Sequence, residues 1–374
     1  MGFKSLLSSA LLAAPLTLAH PGHREDVYQH SALPLERKSL NHCSKEFQEP
    51  EFLKRHVEIH AGEFARLRRE LGIEKDESPK LHPRDYISVS KIDHKSSKPV
   101  SSTMDLSTLF SDAGACILMP AVEEGPLYVK GEEVRKDIKN SEQGIKMTLV
   151  IQVVDYKTCK VVPNAFVDIW SSNSTGIYTG VQGYPGMGDP KDASILKGTT
   201  LRGIQPTDDH GVATFDSLLP GHYEGRATHI HTIVYLGAKK EANNTITGGK
   251  AAHVGQIYFD QSLLTALDKV TPYSKNKGVI TQNTADFLFR QGANGDDPIV
   301  RYALVGSTLA DGVIAWIRFG INQNNDRKIN PAAWWTSTGG VMNPNGPVAQ
   351  MNRGGFGGGF GVPTRPTEGE KAEA

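Results

Sequence analysis

Two histidines one residue apart, His229 and His231, are the residues whose type and spacing most directly suggest chemistry. They begin a run of β-branched and aromatic residues that follows the turn at Pro220 and Gly221, a pattern that predicts a β-strand. Side chains two residues apart on a strand project from the same face. Both imidazoles therefore point the same way, and two neighbouring imidazoles suit a transition metal.

Further candidate residues lie upstream of this histidine pair. Tyr223 and Arg226 directly precede it. Tyr178 follows a polar glycine turn that comes after the buried-strand pattern D-I-W at 168–170, and the segment R-G-I-Q-P-T-D-D-H-G at 202–211 lies between. The elements that position these residues are thus strands and the tight turns between them.

Taken in order, these motifs resemble the intradiol ring-cleavage dioxygenases, most closely the secreted members found in fungi. The matching patterns are D-I-W followed by G-x-Y, then R-G-x-Q-x-T-D-x-x-G, then P-G-x-Y-x-G-R-x-x-H-I-H. The stretch from Cys116 to Val129 resembles the family's first strand, and that from His253 to Phe259 resembles its strand after the histidines. The resemblance covers roughly residues 115 to 320.

The resemblance implies a non-haem Fe(III) centre whose ligands are Tyr178, Tyr223, His229 and His231. Ionising a free tyrosine, with its pKa of about 10, costs roughly 4 kcal/mol at pH 7. A trivalent cation repays that cost because a bound ion inverts the local pKa order. Two phenolates and two neutral imidazoles leave a net charge near +1, which favours the ferric state.

The resemblance also implies roles around the metal. Arg226 and Gln256 would face the substrate, where a fixed guanidinium stabilises negative charge that develops on the ring. Pro126, Leu127 and Tyr128 would line the pocket for the ring.

The reaction implied is the insertion of O2 between the two hydroxyl-bearing carbons of a catechol-type aromatic, which gives a muconate-type diacid. The substrate would displace Tyr223, and the released phenolate would act as a general base. The sequence leaves open which catechol is cleaved.

Two other functions remain open at this point. The first is a zinc or copper enzyme that combines the H-x-H pair with a third ligand such as His210, His222 or His253. The second is a non-catalytic β-sandwich module that binds a carbohydrate or a partner. Visible colour separates these alternatives, since only tyrosinate bound to ferric iron makes a protein reddish.

The first nineteen residues predict a secreted, extracellular protein. Lys4, an apolar run and small residues up to Ala19 have the pattern of a signal peptide, residues 1–19. No later stretch approaches the roughly 20 apolar residues that a membrane span needs. The formal net charge is zero, with 41 basic and 41 acidic residues, which favours neither a nucleic-acid nor a membrane-surface partner.

Three cysteines and two N-glycosylation sequons are relevant to a secreted protein, because disulfides and N-glycans form on that route. Cys116 and Cys159 both lie within the β region and are the preferred disulfide pair, while Cys43 offers the alternative of stapling the N-terminal segment or joining two chains. Asn173 and Asn243 begin N-glycosylation sequons.

Along the chain, the sequence predicts a mainly β protein with short additions at both ends. Residues 20–79 form an N-terminal helical segment whose amphipathic helix runs from Pro50 to Gly72, and its apolar stripe needs either the β domain or a second chain as partner, so a homodimer is one expectation. Residues 80–112 form an extended linker, 113–330 a β-sandwich catalytic domain, and 331–374 a disordered, glycine-rich, low-complexity tail.

Overall fold

Strands dominate the part of the chain that the structure, a computed structural model, describes: residues 40–71, 86–96, 125–183, 192–293 and 296–353. The strands are β1 (Val129–Lys130), β2 (Lys146–Asp155), β3 (Phe166–Trp170), β4 (Arg202–Pro206), β5 (Val212–Leu218), β6 (His229–Lys240), β7 (Ile246–Tyr258), β8 (Arg301–Leu304), β9 (Val313–Ile321), β10 (Ala333–Thr336) and β11 (Gly339–Met342). The helices are α1 (Ser44–Phe47), α2 (Pro50–Leu71), α3 (Tyr86–Lys91), α4 (Gln261–Leu267), α5 (Phe287–Gly292) and α6 (Pro347–Arg353).

Two four-stranded sheets pack face to face. Their strand orders are β5-β2-β9-β8 and β4-β3-β6-β7, with β2 and β9 the parallel pair within the first sheet. Apolar side chains from both sheets fill the space between them, among them Leu149, Phe319, Ile169 and Val234. The prediction of a mainly β protein built as a β-sandwich is confirmed.

Successive side chains of β6 point alternately into the core between the sheets and to the outer face, where the two histidines lie. Ile230 and Val234 point into the core between the sheets, whereas Ile233 belongs to a second apolar cluster on the outer face of the β4-β3-β6-β7 sheet. His229 and His231 share the parity of Ile233 and so lie on that outer face. The prediction that both imidazoles project from one face of a strand is therefore confirmed.

A small third sheet, of order β1-β10-β11, covers part of that outer face. β1 pairs in parallel with β10, and β10 and β11 form an antiparallel hairpin that leads to α6. The predicted low-complexity tail from residue 331 is therefore wrong in its first part. Glycine-rich composition concealed strands whose order comes from pairing with a distant partner, and the Gly-rich stretch from 354 lies outside the described residues.

α2 begins at Pro50, as the sequence predicted, and ends at Leu71. It packs against the β-sandwich of the same chain. Phe64 lies in an apolar cluster with Val150 of β2, Ile314 and Trp316, and Val57 packs against the same cluster. Arg66 also forms an ion pair with Asp216 of β5. The apolar stripe thus has an intramolecular partner, which removes the reason for expecting a dimer through this helix.

The disulfide joins Cys43 to Cys159, with Cα atoms 5.3 Å apart. The preferred pairing of Cys116 with Cys159 is wrong, and Cys116 itself lies outside the described residues. The physical reason is that the N-terminal segment packs on the domain: Leu40 and Phe47 form an apolar cluster with Val154 beside the bond. Sequence position alone did not reveal this packing.

The predicted extended linker is also only partly extended. Residues 86–96 contain α3 and a short parallel bridge from Lys95 to Tyr302.

The proposed signal peptide, residues 1–19, lies outside the described residues. Within the described ranges, none of the helices combines the length and apolar character that crossing a bilayer would require.

Candidate metal centre

Four buried side chains converge at one end of the outer face of the β4-β3-β6-β7 sheet. The Tyr223 hydroxyl lies 3.2 Å from His229 Nε2, which lies 3.0 Å from His231 Nε2. The Tyr178 ring meets the Tyr223 ring edge-on, with centroids 5.6 Å apart. All four predicted ligands are thus brought together, although they are separated by up to 53 positions in the sequence.

Tight turns deliver the two tyrosines. Asn173 Oδ1 accepts hydrogen bonds from the backbone of Thr175 and Ile177, which closes the turn after β3 and presents Tyr178. Tyr223 and Arg226 form an isolated antiparallel bridge across a second turn. That turn needs Gly225, which adopts a φ of +86°.

The backbone fixes the ring orientation of the first histidine. His229 Nδ1 lies 2.6 Å from the carbonyl oxygen of Ala227, so this nitrogen carries the proton and Nε2 presents its lone pair. The His231 ring stacks on Trp170, with centroids 4.9 Å apart and planes 3° apart. β3 supplies this support directly, because Trp170 and His231 are register partners.

This donor set has the chemistry of a metal centre. The Tyr178 hydroxyl is buried and interacts with the Tyr223 hydroxyl, with no hydrogen bond to any other described residue. Two nitrogens that each bond a common ion at about 2.1 Å, the usual zinc–imidazole length, are about 3.0 Å apart when the bonds meet at a right angle. The observed Nε2 separation of 3.0 Å matches that arrangement. Two phenol oxygens and two imidazoles therefore suit a transition ion.

Burial controls the protonation of these groups. It raises the pKa of Tyr223 to about 12 against the opposing effect of Arg226. Burial also raises the pKa of Tyr178 well above its usual value, and Tyr223 adds to that rise. Burial, followed by the charges of Arg226 and Arg202, lowers the pKa of His231. The histidine is therefore neutral, as a metal ligand must be.

Arg226 is fully buried and held from two sides. Its Nε donates to Asp286 Oδ2 at 2.8 Å, and its Nη2 donates to Gln256 Oε1 at 2.5 Å and to the Tyr258 hydroxyl at 2.9 Å. The same carboxylate oxygen of Asp286 accepts the amide of Ala227 at 2.8 Å. The guanidinium is therefore immobilised beside the cluster.

β7 contributes the adjoining residues through its register with β6. Gln256 is the partner of His231, and Tyr258 is the partner of His229. The Tyr258 hydroxyl donates to Gln256 Oε1 at 2.7 Å. The predicted pair Arg226 and Gln256 thus forms one hydrogen-bonded unit, completed by Tyr258 and Asp286. The sequence did not predict a role for Tyr258 or Asp286. The one available signal was that Tyr258 lies two residues after Gln256, and so on the same face of the strand.

A second buried arginine braces the other side. Arg202, from the R-G-x-Q-x-T-D motif, donates from Nε to the carbonyl of Thr179 at 2.6 Å and from Nη2 to that of Leu127 at 2.9 Å. Its guanidinium carbon lies 5.9 Å from the centroid of the Tyr178 ring. Arg202 therefore ties the turn that carries Tyr178 to the segment before β1.

The three predicted pocket residues have different positions. Pro126 and Leu127 are buried in the segment that Arg202 holds, and Leu127 shares an apolar cluster with Tyr178 and Tyr223. Tyr128 belongs to the same apolar cluster, and its ring packs against Trp170, with centroids 4.8 Å apart. Its hydroxyl bonds to Asp168 and Tyr235, each at 3.0 Å.

Gly125, which the sequence reasoning did not single out, touches the cluster. A Cβ at this residue would lie 2.6 Å from His231 Cε1, and its φ is +76°. The absence of a side chain is what allows the segment before β1 to close over the imidazole.

Replacing Gly125 with alanine should displace His231 and lower the content of bound metal in the purified protein at least severalfold. Gly237→Ala is the matched control: Gly237 has a φ of +71°, but a Cβ there meets nothing within 4 Å. Both variants suffer the backbone strain of roughly 1–2 kcal/mol, so a difference in bound metal reports the collision with His231. Equal metal contents, measured by inductively coupled plasma mass spectrometry, would contradict this interpretation.

The histidines considered as a third zinc or copper ligand lie elsewhere. His210 is in an exposed turn beside Arg55, and His222 is bonded to Asp268 and to the carbonyl of Gly278. His253 packs on Phe319. Within the described ranges, His229 and His231 are not grouped with a third histidine, cysteine or carboxylate that could hold a metal with them.

Comparison with known proteins agrees with the motifs. Residues 123–286 match the family described as "Dioxygenase" (Dioxygenase_C), a span that contains all four converging residues. No curated protein matches the chain.

The chain is also similar to solved structures of ring-cleaving dioxygenases. The intradiol ring-cleavage dioxygenase from Tetranychus urticae is 31% identical over 57% of this chain and 98% of its own, with a TM-score of 0.48. Catechol 1,2-dioxygenase from Pseudomonas arvilla C-1 is 19% identical over 54% of this chain and 62% of its own, with a TM-score of 0.34. Hydroxyquinol 1,2-dioxygenase from Pseudomonas putida DLL-E4 is 17% identical over 54% and 67%, with a TM-score of 0.34.

The matched family region contains the strands and turns that bring the tyrosines and histidines together, and the identity to the mite enzyme is 31% across nearly the whole of that enzyme. The chain belongs to the intradiol ring-cleavage dioxygenases, and it is an oxidoreductase of that class.

Proposed function

We propose that the protein binds one non-haem ferric ion through Tyr178, Tyr223, His229 and His231 and cleaves a catechol-type aromatic between its two hydroxyl-bearing carbons. The observation that carries the proposal is the position of His229 Nε2, which lies 3.2 Å from Tyr223 Oη and 3.0 Å from His231 Nε2, beside the buried Tyr178 hydroxyl. The overall reaction adds O2 to the catechol and retains every atom in a muconate-type diacid.

The donor types favour ferric iron over the alternatives. A bound ferric ion would supply the Lewis acidity that keeps the phenols and the substrate hydroxyls ionised and would bring the catechol and O2 together. Phenolate oxygens suit a hard trivalent ion, whereas a ferrous site that cleaves outside the two hydroxyls normally uses two histidines and a carboxylate. No such carboxylate is grouped with the histidine pair among the described residues.

The surrounding side chains have separate tasks. Tyr223 sits at the end of a tight turn, where its oxygen can accept a proton from a substrate hydroxyl. Arg226, fixed by Asp286 and Gln256, presents a cation that stabilises negative charge developing on the ring. Pro126 and Leu127 provide the apolar wall that orients the ring and excludes water.

The sequence supports further parts of the proposal. The signal-peptide pattern of residues 1–19 supports secretion, and the balanced charge supports a small aromatic substrate rather than nucleic acid or a membrane surface. Whether the catechol is simple, carboxylated or a triol is decided by the pocket wall.

The test is to purify the mature protein, prepared with iron available, and to measure metal content, visible absorption and product. We expect close to one iron per chain, a reddish protein, and consumption of catechol or hydroxyquinol together with dissolved O2. The product should be a diacid by NMR. Colourless protein that carries zinc would contradict the ferric centre, and a hydroxy-aldehyde product would contradict cleavage between the hydroxyls. Iron-loaded protein that consumes none of the catechols would favour the non-catalytic module.

A further inference from the structure

The segment 86–96, which precedes the matched family region, is anchored by a buried histidine between two carboxylates. His94 Nδ1 lies 2.5 Å from Asp260 Oδ1, and His94 Nε2 lies 3.1 Å from both oxygens of Asp297. The backbone amide of His94 also donates to Asp260 Oδ2 at 2.6 Å. Its side chain is fully buried, and those of its two partners nearly so.

This anchor closes around Tyr258. Asp260 follows Tyr258 by two residues at the end of β7, and Asp297 precedes Pro298, whose carbonyl accepts the Tyr258 amide at 2.9 Å. The amide of Val300 donates in turn to the Tyr258 carbonyl at 3.0 Å. His94 therefore bridges the two backbone segments that hold Tyr258 in place.

The same segment covers the back of the Arg226 unit. Val89 of α3 belongs to an apolar cluster with Ala227, Tyr258 and Phe289. The Tyr258 ring meets that of Phe289 edge-on at 5.1 Å, while its hydroxyl bonds to Arg226 and Gln256. A continuous set of contacts thus leads from His94, through Tyr258, to the guanidinium beside the metal centre.

The charge at His94 agrees with this anchoring role. Burial opposes protonation, but Asp297 and Asp260 outweigh it and raise the pKa of His94 to about 9. The imidazole is therefore cationic at neutral pH and holds two carboxylates that would otherwise repel each other.

We propose that His94 is a positioning residue: together with the segment 86–96 it holds Tyr258, and through Tyr258 it sets Arg226 and Gln256 for ring cleavage. This rests on the proposed function, since Arg226 acts on the substrate there. The sandwich alone would then be an incomplete enzyme, and the segment before it would be part of the active-site support.

The first experiment compares His94→Gln with His60→Gln in the full-length mature protein. His60 is a buried histidine of α2 that docks on the opposite sheet, next to Trp316, and so controls for a general loss of stability. We expect His94→Gln to lower kcat by roughly 3- to 30-fold with unchanged iron content and visible absorption, and His60→Gln to leave kcat unchanged. An unchanged kcat in His94→Gln would overturn the proposal. Should His94→Gln fail to fold, Asp297→Asn tests the same anchor with the histidine kept.

A double-variant cycle then separates positioning from general destabilisation. If His94 acts through Tyr258, adding His94→Gln to Tyr258→Phe should lower kcat little further, whereas independent effects would multiply. Multiplicative losses would overturn the proposal.

Hydrogen exchange supplies a readout that does not need activity. Peptides covering 226–231 and 256–260 should lose protection in His94→Gln and keep it in His60→Gln. Loss confined to residues 86–96 would overturn the proposal. Wild-type protein without iron or ring cleavage would instead contradict the proposed function, and the exchange result would still report on the anchor.

Discussion

Arg226→Ala should lower turnover by two to three orders of magnitude while iron content and visible absorption stay close to those of the wild type. The loss corresponds to roughly 3–4 kcal/mol, the usual effect of removing one preorganised electrostatic contact from an active site. Arg226 is fully buried and held by Asp286, Gln256 and Tyr258, so its charge costs no reorganisation when negative charge develops on the ring. It is not among the four proposed metal ligands, which is why the metal should remain.

Two control variants separate this effect from damage to the fold. Arg318, on the other sheet, is also a buried arginine, and it bonds to Gln152 of that sheet and to His56 of α2. Arg318→Ala should therefore cost stability without comparable loss of turnover. Arg226→Lys keeps the charge but not the planar fork, and should recover only part of the activity. In Arg226→Ala, Asp286 still accepts the amides of Ala227, Leu288 and Phe289, which limits the cost of leaving it unpaired.

The assay follows loss of catechol and O2 under saturating substrate, with melting temperatures recorded for every variant. Unchanged turnover in Arg226→Ala would contradict the assigned role. A parallel loss of iron would show instead that Arg226 maintains the metal centre.

The sequence predicted the candidate centre well because its residues obey local rules. His229 and His231 share a face through the two-residue period of a strand, and Tyr223 and Arg226 are joined by a four-residue turn with glycine at its third position. Each of these two relations depends only on a few residues that are neighbours in the sequence. That Tyr178 would join them was implied only by the resemblance to the intradiol dioxygenases.

The parts that escaped prediction depend on packing between distant segments. Asp286 lies 60 positions from Arg226, and its role becomes visible only when α5 begins beside the turn. The Cys43–Cys159 disulfide requires knowing that Leu40 and Phe47 pack on Val154. β10 and β11 form in a stretch whose glycines predicted no structure, because pairing with β1 supplies their order.

Tyr223→Phe should have the second large effect and should separate metal binding from proton transfer. Three of the four donors, Tyr178, His229 and His231, survive the change, so the protein should retain part of its iron while its visible band shifts. Turnover should fall by roughly 10²- to 10⁴-fold, the usual effect of losing a general base. The hydroxyl removed is the one that lies 3.2 Å from His229 Nε2 and close to the charge of Arg226.

Tyr178→Phe is the matched comparison, because it removes a phenol oxygen from the same cluster. Tyr178 is enclosed by Arg202 and by the turn that Asn173 closes, which favours a permanent ligand over a mobile one. We therefore expect Tyr178→Phe to lose more iron than Tyr223→Phe. The turnover of Tyr223→Phe, expressed per bound iron, should be the lower of the two, since its base is gone. Equal turnover per iron in both variants would contradict the assignment of the proton acceptor to Tyr223, and would leave the two tyrosines as equivalent ligands.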